Sequence, residues 1–282
     1  MVKRKLRIVK RYLISIINVL KSVGNKDISQ LKNATKISRW EIAKLRSNFA
    51  SKDHSVLAGK KIEIVDSFWH LHSLKEIFVE QTYKFKSKSD TPTILDCGAN
   101  IGLSAIFFKQ QYPKANIIAF EPDAKIFSKL RNNLKAFNLH DVKLYNNAIW
   151  TEDTVLNFDQ DNALGGRINH AESHSNTTQV SALALTPFIN KRIDFLKIDI
   201  EGAEFDVLKS IEHKLLLVEN LFIEYHSDPQ QPQKLAELLT IIDHAGFRLY
   251  IKEAWNNLPI PFEHSVYKPF WDLQLNIFAY RN

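Results

Sequence analysis

Hydrophobic and polar positions follow a regular alternation of short strands and helices after Pro92. The predicted strands cover residues 94–95, 116–120, 142–147, 193–198, 221–224, 247–252 and 274–280. The predicted helices cover residues 101–111, 123–137, 203–211 and 233–245. Short apolar strands separated by helices indicate a parallel sheet covered on both faces, and the final pair, with no helix between its strands, indicates an antiparallel edge. We therefore expect a doubly wound α/β fold with a seven-stranded, mostly parallel sheet and an antiparallel last strand.

The part of the chain before residue 90 has a different pattern. Its first 20 residues place apolar side chains at helical spacing opposite a basic face, which predicts an amphipathic helix. A helix over 38–49, a strand over 61–65 and a short helix over 72–80 follow. The pattern predicts an N-terminal helical extension with a mixed α/β segment, residues 1–90, and a ligand-binding domain, residues 91–282.

Charge is concentrated at the start of the chain. The net charge is +7, and eight basic residues with no acid lie between Met1 and Lys26. A nucleic-acid-binding protein would spread basic residues over the fold and interleave aromatic ones, so no nucleic-acid partner is expected. The basic helix within residues 1–26 is a candidate for peripheral membrane contact. The alternative is a helix packed on its own domain with its charges in water.

The composition otherwise predicts a cytoplasmic protein. No apolar run approaches the roughly 20 residues of a spanning helix, and the basic start is not followed by the features of a secretory signal. Cys97 is the single cysteine, so no internal disulfide is expected.

The candidate chemistry lies where the predicted strands end, because ligands of doubly wound sheets bind beyond the carboxyl ends of the strands. The first strand ends in the turn Asp96-Cys-Gly98-Ala-Asn100-Ile-Gly102. Gly98 permits a tight turn, Gly102 permits close backbone approach, and the amides at the helix start can receive an anion. The glycine spacing differs from G-x-G-x-x-G, which makes a nicotinamide dinucleotide less favoured.

The second and third strands end in residues suited to a nucleoside. Glu121, followed by Pro122, lies 23 residues after Gly98, a spacing at which an acid accepts both hydroxyl hydrogens of a ribose. The third strand ends beside Ala148, where the chain would pass an adenine ring. A plain strand end is an equally good interpretation of Ala148.

Acidic residues cluster where the fourth and fifth strands end. Asp199, Glu201 and Glu204 follow the fourth strand, and Glu224 and His226 end the fifth. Glu204 is the acid of this group that a helix start would use for capping. The other two acids, with Glu224 and His226, have ligand types that could surround Mg²⁺. No compact metal-ligand motif is present, so a resident metal is not expected.

Three of these motifs resemble the FkbM-type methyltransferases, within the class I S-adenosylmethionine-dependent fold. They are Leu95-Asp-Cys-Gly-Ala-Asn-Ile-Gly102, Ala119-Phe-Glu-Pro122 and Phe195-Leu-Lys-Ile-Asp-Ile-Glu-Gly-Ala-Glu204. Ile223-Glu-Tyr-His226 fits as well, and the resemblance extends from Pro92 to about His226. It implies S-adenosylmethionine as the cofactor and O-methylation of a sugar, glycan or natural product.

The resemblance also implies roles for the residues at the strand ends. The residues expected to bind the cofactor are Asp96, Gly98, Asn100, Gly102, Glu121, Pro122, Ala148 and Asp199. We expect His226 or Asp199 to remove the proton of the acceptor hydroxyl, because a histidine titrates near neutral pH, with Glu201 or Glu224 orienting the acceptor.

Two other classes of function use part of the same pattern. A nicotinamide-dependent sugar oxidoreductase would share Glu121, and a non-catalytic nucleoside-binding module would keep the fold without the chemistry. The polar segment 157–178 is interpreted either as a lid over the acceptor or as a plain loop.

Overall fold

The computed structural model describes residues 26–46, 53–161, 165–168, 177–266 and 269–281. The helices in these ranges are α1 (Lys26–Thr35), α2 (Arg39–Arg46), α3 (Ser67–Leu74), α4 (Leu103–Gln111), α5 (Ala124–Ala136), α6 (Glu204–Ser210) and α7 (Leu235–His244). A π-helical turn, Lys75–Val79, continues α3. Short 3-10 helices occur at Thr186–Phe188, Glu212–Leu217 and Pro261–Val266. The amphipathic helix predicted within residues 1–26 lies outside the described residues, and no described helix has the length and apolarity needed to cross a membrane.

The described strands form a hairpin, a large sheet and a small sheet. They are β1 (His54–Leu57), β2 (Lys60–Glu63), β3 (Thr93–Cys97), β4 (Asn116–Phe120), β5 (Lys143–Tyr145), β6 (Ala148–Trp150), β7 (Thr154–Asp161), β8 (Gly165–Ile168), β9 (Thr177–Ala184), β10 (Phe195–Ile198), β11 (Asn220–Ser227), β12 (Arg248–Trp255) and β13 (Leu273–Tyr280). Strands β1 and β2 pair antiparallel as the hairpin.

The large sheet confirms the predicted fold class. Among the described residues it has seven strands in the order β12-β13-β11-β10-β3-β4-β5. Strands β11, β10, β3, β4 and β5 pair in parallel, and β13 is antiparallel to both of its neighbours. The antiparallel strand β13 is the last strand of the chain, as predicted, but β12 and not β13 forms the edge of the sheet. Parallel strands ending at one edge of the sheet bring their terminal residues together there.

The small sheet corrects the prediction for the middle of the chain. The predicted strand 142–147 is in fact the short strand β5, and β6 begins a separate sheet with the order β6-β9-β7-β8. The segment 157–178, interpreted from the sequence as a lid or a plain loop, contains strands among its described residues: β7 runs to Asp161, β8 follows, and β9 begins at Thr177. Polar residues in these strands conceal the two-residue period on which strand prediction depends.

The N-terminal part packs onto the large sheet through one continuous core. The buried cluster joins Ile62, Leu74 and Phe78 to Ile94 and to residues of α4. The rings of Phe78 and Phe107 meet edge to face at 5.6 Å. This packing holds α3 and the π-helical turn against the end of the sheet where the candidate site lies. The division at residue 90 stays a prediction, and α1, β1 and the split between α3 and the π-helical turn were not predicted.

Candidate active site

A cavity of about 610 Å³ lies at the carboxyl ends of β3, β10 and β11. The turn after β3 forms one side, α3 and the π-helical turn form a second side, and residues near the end of β12 and the start of β13 form a third. The lining residues on which the chemistry depends are Trp69, His70, His72, Glu76, Gly98, Asn100, Lys197, Asp199, Glu201, Glu224, Trp255 and Trp271. The structure therefore brings four of the predicted residues at the first and fourth strand ends, Gly98, Asn100, Asp199 and Glu201, to one cavity.

The turn after β3 requires glycine at both predicted positions. Gly98 has a φ of 86°, and a Cβ there would lie 1.8 Å from the carbonyl oxygen of Asp199. Gly102, with a φ of 90°, caps α4, and a Cβ there would lie 2.7 Å from Leu130 Cδ1 of α5. Both glycines thus allow the protein to pack closely on itself, and they place the turn beside the end of β10.

Glu121 is held beside this turn by backbone amides. Its Oε2 accepts a hydrogen bond from Asn100 N at 3.0 Å, and its Oε1 accepts one from Asp123 N at 3.0 Å. Burial raises the pKa of Glu121 to about 8, although the two amide hydrogen bonds oppose the shift. Each carboxylate oxygen keeps a second lone pair, so Glu121 can accept hydrogen bonds from two hydroxyl groups.

Asn100 carries backbone strain at the same turn. Its φ of 48° is in the left-handed region, which is uncommon for a residue other than glycine. The side-chain oxygen Oδ1 of Asn100 accepts a hydrogen bond from Ile101 N at 2.7 Å. Strained conformations of this kind concentrate at functional sites, and here the strain aims the Asn100 amide at Glu121.

Glu121, Pro122 and Ala148 are all outside the set of residues that line the cavity, and Glu121 reaches the lining through its hydrogen bond with Asn100. Asn146 Nδ2 donates to the carbonyl oxygens of Glu121 and Pro122, at 2.8 and 3.0 Å. Ala148 is buried at the start of β6 and pairs in register with Ala182 of β9. Neither Pro122 nor Ala148 lines the cavity, and their predicted contact with an adenine-bearing ligand stays a prediction.

Lys197 is the central cation of the site, and its role was not predicted from the sequence. Its Nζ lies 3.0 Å from Asp199 Oδ2 and 3.5 Å from Asp96 Oδ1, and it donates to the Gly98 carbonyl oxygen at 2.7 Å. Burial disfavours the charged ammonium, but the two carboxylates outweigh burial and raise the pKa of Lys197 above its ordinary value. Asp96 is fully buried and also accepts from the Ser104 hydroxyl. Lys197 therefore joins the ends of β3 and β10.

Glu204 stabilises the acidic turn that follows β10, residues 199–204. It is fully buried and accepts hydrogen bonds from the amides of Ile200 and Gly202, at 3.2 and 3.0 Å. Its carboxylate also pairs with His226 Nδ1 at 3.1 Å. Glu201, two residues after Asp199, has a φ of 57° and so is held in the left-handed region by this arrangement.

His226 lies behind the acidic residues of the cavity. It is inside β11 and not after it, because the strand runs to Ser227, and its side chain is only 1% exposed. His226 Nε2 faces Glu224 Oε1 at 3.5 Å and Glu201 Oε2 at 3.6 Å, and the Trp271 ring packs against the imidazole at 5.2 Å. Burial disfavours the cation, but Glu201 and Glu204 outweigh it and raise the pKa of His226 well above 6.5.

This environment does not favour His226 as the base. A protonated, enclosed imidazole has no lone pair for an incoming proton. His226 instead holds Glu201 and Glu224 in place from below. Burial raises the pKa of Glu201 to about 7, while the positive charge of His226 opposes the shift.

Three side chains of the site have a geometry compatible with binding a metal cation. Asp199, Glu224 and His226 each offer one ligand atom, and these atoms lie within 4.8 Å of one another. His226 Nε2 and Lys197 Nζ already supply positive charge to these carboxylates. The arrangement is therefore explained by protein cations alone.

The third side of the cavity includes the aromatic side chains of Trp255 and Trp271. Trp255 packs against Trp69 at 5.2 Å and against His72 at 5.4 Å between ring centroids. His70 is 3% exposed, and neither ring nitrogen has a hydrogen-bond partner among the described residues. Burial lowers the pKa of His70 to about 4, so its ring is neutral at pH 7. A search for polar residues on the apolar face of α3 could have found His70, but nothing in the local pattern identifies Glu76.

Comparison with known proteins gives a consistent family. Methyltransferase 1 of Beauveria bassiana is 27% identical over 226 residues, covering 71% of this chain and 88% of the relative. The 2-O-methyltransferase NoeI of Sinorhizobium fredii is 28% identical over 173 residues, covering 54% of this chain and 70% of the relative. The hexuronic acid methyltransferase AglP of Haloferax volcanii is 21% identical over 214 residues, covering 73% of this chain and 87% of the relative.

A family model describes most of the region around the cavity. The methyltransferase FkbM domain matches residues 96–249, from the buried aspartate at the end of β3 to the start of β12. The match includes the turn after β3, Glu121, the acidic turn after β10, and Glu224 and His226 of β11. It covers more than half of the 282 residues. The chain therefore belongs to the FkbM family of methyltransferases.

Proposed function

We propose that this methyltransferase uses S-adenosylmethionine and transfers the methyl group to a hydroxyl oxygen of a sugar-bearing acceptor. The observation that carries the proposal is the position of Glu121, whose carboxylate is fixed by the Asn100 amide while Asn100 lines a cavity with acids on its opposite side. A nucleoside with a cationic sulfur needs a carboxylate that binds its ribose hydroxyls and acids that lie near its sulfonium. Since the family is one of methyltransferases, the oxidoreductase and the non-catalytic binding module are set aside.

The residues present fit this cofactor. Glu121 has free lone pairs for two ribose hydroxyls, and the acids near Asp199 complement the positive charge of a sulfonium. His70 adds a buried neutral imidazole to the cavity wall, with no hydrogen-bond partner in the described part of the chain. A buried polar group of this kind gains a hydrogen bond when a polar ligand binds. When bound, S-adenosylmethionine supplies an electrophilic methyl group on a sulfonium that leaves as a neutral thioether.

The proposed roles of the protein residues follow from their contacts. Asp199 is tied to Lys197, so it is a fixed negative charge on the cofactor side of the cavity. Glu201 and Glu224, held by His226, orient the acceptor hydroxyl. The hydroxyl proton passes to a cavity carboxylate, because His226 is protonated and enclosed. Alignment of the oxygen with the methyl carbon supplies much of the rate in a displacement of this type.

The acceptor class is supported by two observations. One relative is named a 2-O-methyltransferase, and another is named a hexuronic acid methyltransferase. In this chain Trp69, His72 and Trp255 provide aromatic faces on the cavity wall, and Tyr, Trp and His combine apolar faces with polar edges. The acids near Glu224 repel an acceptor carboxylate, so neutral or amino sugars are proposed over uronic acids.

Calorimetric titration with S-adenosylmethionine, S-adenosylhomocysteine and NAD tests the cofactor. We expect both sulfur nucleosides to bind and NAD not to bind. Glu121→Gln should weaken their binding by about 10- to 100-fold, because the Gln amide nitrogen cannot accept a hydroxyl hydrogen bond and a buried polar group left unpaired costs roughly 1–3 kcal/mol.

The neighbouring acid Asp123 is the matched control. Its side chain caps α5 by accepting hydrogen bonds from Lys125 N and Ile126 N. Asp123→Asn should lower thermal stability without changing affinity for the nucleoside. Equal affinity of wild-type protein and Glu121→Gln would refute the proposed nucleoside site.

A panel of acceptors with a labelled methyl donor tests the reaction. Matched hexosides, hexosaminides and hexuronides differ in charge while keeping the ring. Transfer to the neutral or amino sugars, at a rate above the hexuronides, is expected. Transfer to none of the sugars, or a preference for hexuronides, contradicts the proposed acceptor.

A further inference from the structure

Glu76 enters the cavity from outside the region that the family model matches. It lies on the π-helical turn Lys75–Val79, whereas the matched region begins at residue 96. The Glu76 carbonyl oxygen is held by the amide and hydroxyl of Thr82, at 3.2 and 3.1 Å, and Ile77 and Phe78 are buried beside it. A π-helical turn is rare and often occurs at functional sites. Here the π-helical turn places the Glu76 carboxylate on the cavity wall.

The sheet brings Glu76 close to the acids at the end of β11. Glu224 pairs in register with Asn276 of β13, so the two side chains lie on the same face of the sheet. Asn276 Nδ2 donates to Glu76 Oε1 at 2.9 Å. Glu76 and Glu224 both line the cavity, and Asn276, which binds Glu76, is the register neighbour of Glu224.

Glu76 differs in its partner from the other acids that line the cavity. Asp66 caps α3 by accepting hydrogen bonds from the amides of Phe68 and Trp69. Asp199 pairs with Lys197, and both Glu201 and Glu224 face the His226 imidazolium. Within the described ranges, Glu76 forms no ion pair, and its side-chain partner is the neutral amide of Asn276. A cation stabilises a carboxylate in its ionised form and weakens it as a base, whereas a neutral amide does so much less.

We infer that Glu76 is the base that accepts the proton of the acceptor hydroxyl. The inference rests on the proposed function. As the acceptor oxygen bonds to the methyl carbon, the carbon–sulfur bond of the donor breaks and its electron pair stays on sulfur. The acceptor proton passes to the Glu76 carboxylate, which returns it to water after the methylated product leaves. Asn276 is a positioning residue that aims the carboxylate.

The charges around Glu76 support this role. Burial raises the pKa of Glu76 to about 8, with Glu224, Asp199 and Glu80 adding to the shift and the Asn276 hydrogen bond opposing it. The other titratable groups that face this region are the phenol of Tyr83, Lys197 above the Tyr83 ring, His72 of α3, and Lys252 opposite Asn276 on β12. A base with a pKa near the working pH is effective because it is both available and strong.

The pH dependence of kcat/KM, measured with an acceptor found in the panel, tests the inference. A base must be ionised to act, so wild-type activity should rise with pH and level off above about 8. Glu76→Gln should lose at least about 100-fold in kcat, the contribution expected of a general base, and should lose this rise. Glu76→Asp should recover part of the activity together with the rise.

Two further variants separate proton transfer from a structural role. Asn276→Ala removes a hydrogen bond that lowers the Glu76 pKa, so the rise in activity should move to higher pH. Glu80→Gln, on an exposed side chain just after the same turn, should keep the wild-type plateau, and its rise should move slightly to lower pH because the Glu80 charge adds to the raised pKa of Glu76. Each variant is first shown by calorimetry to bind S-adenosylhomocysteine with unchanged affinity.

The outcomes distinguish this inference from the proposed function. If Glu76→Gln methylates with the wild-type pH profile, or Asn276→Ala leaves the profile in place, Glu76 is not the base although the methyltransferase proposal stands. If the wild-type protein neither binds the sulfur nucleosides nor methylates any acceptor, the proposed function fails and the inference fails with it.

Discussion

Glu204→Gln should lower the stability of the folded protein, because Glu204 supports the residues of the site from a buried position. The Glu204 side chain is 1% exposed, and its two oxygens take hydrogen bonds from the Gly202 amide and the His226 ring. The substitution keeps the shape and removes the negative charge. A protonated histidine is then left buried without its main partner.

The size of the effect follows from the burial of the pair. Removing one partner of a buried ion pair costs about 3–5 kcal/mol, because the remaining charge loses its compensation. For a chain of this size, each kcal/mol shifts Tm by roughly 2–4 °C, so Tm should fall on the order of 10 °C. Glu201 and Glu224 remain near His226 and limit the loss to that range.

The loss should also depend on pH in a defined direction. The pKa of His226 is raised in the folded protein, so its ion pairs contribute fully below the unfolded value of about 6.5. That contribution is lost as pH rises through the folded pKa. The stability difference between wild type and Glu204→Gln should therefore be largest near pH 6 and smaller near pH 10.

Urea unfolding followed by circular dichroism at the two pH values measures this difference. Glu212→Gln, an exposed acid shortly after α6, is the control and should change stability by less than about 0.5 kcal/mol. A loss below about 1 kcal/mol at pH 6, or a difference that grows toward pH 10, would refute the role assigned to the Glu204–His226 pair.

Two further predictions concern the first turn and the acidic residues. Gly98→Ala should prevent folding or abolish nucleoside binding, because its Cβ would lie 1.8 Å from the Asp199 carbonyl oxygen. Gly59→Ala, also at positive φ but with no atom within 4 Å of the new Cβ, should cost only about 1 kcal/mol, as thermal unfolding and calorimetry will show. Methyl transfer in EDTA should equal that in Mg²⁺, since His226 and Lys197 already supply cations to Glu224 and Asp199. Loss of activity in EDTA with recovery in Mg²⁺ would instead identify Asp199, Glu224 and His226 as metal ligands.

The large sheet was predictable because its signals are local. Each parallel strand is a short apolar run, and each is followed by a glycine, an acid or a helix start within a few residues. The same locality placed Gly98 and Asn100 on the cavity, since strand ends of a parallel sheet converge. The small sheet was missed because its strands are rich in polar residues, and pairing between distant segments decides them.

His226 shows where local reasoning about chemistry stops. From the sequence, a histidine after a strand is a candidate base with an ordinary pKa. In the fold, β11 extends through Ser227 and Glu204 reaches His226 from the start of α6, so the imidazole is enclosed and charged. Charge and burial around a side chain depend on several elements at once, and no short motif contains them.

The sequence by itself determined the order of strands and helices, the two glycine turns and the acids that follow them, because these depend on neighbours within a few residues. Tertiary structure alone decided which of those acids are paired with cations, and it added Glu76, whose side-chain partner is a neutral amide. Glu76 and Asn276 are 200 residues apart and meet only because the N-terminal core packs α3 against the sheet beside β13. The strength of a carboxylate as a base depends on such long-range neighbours, and therefore it becomes visible only in the folded chain.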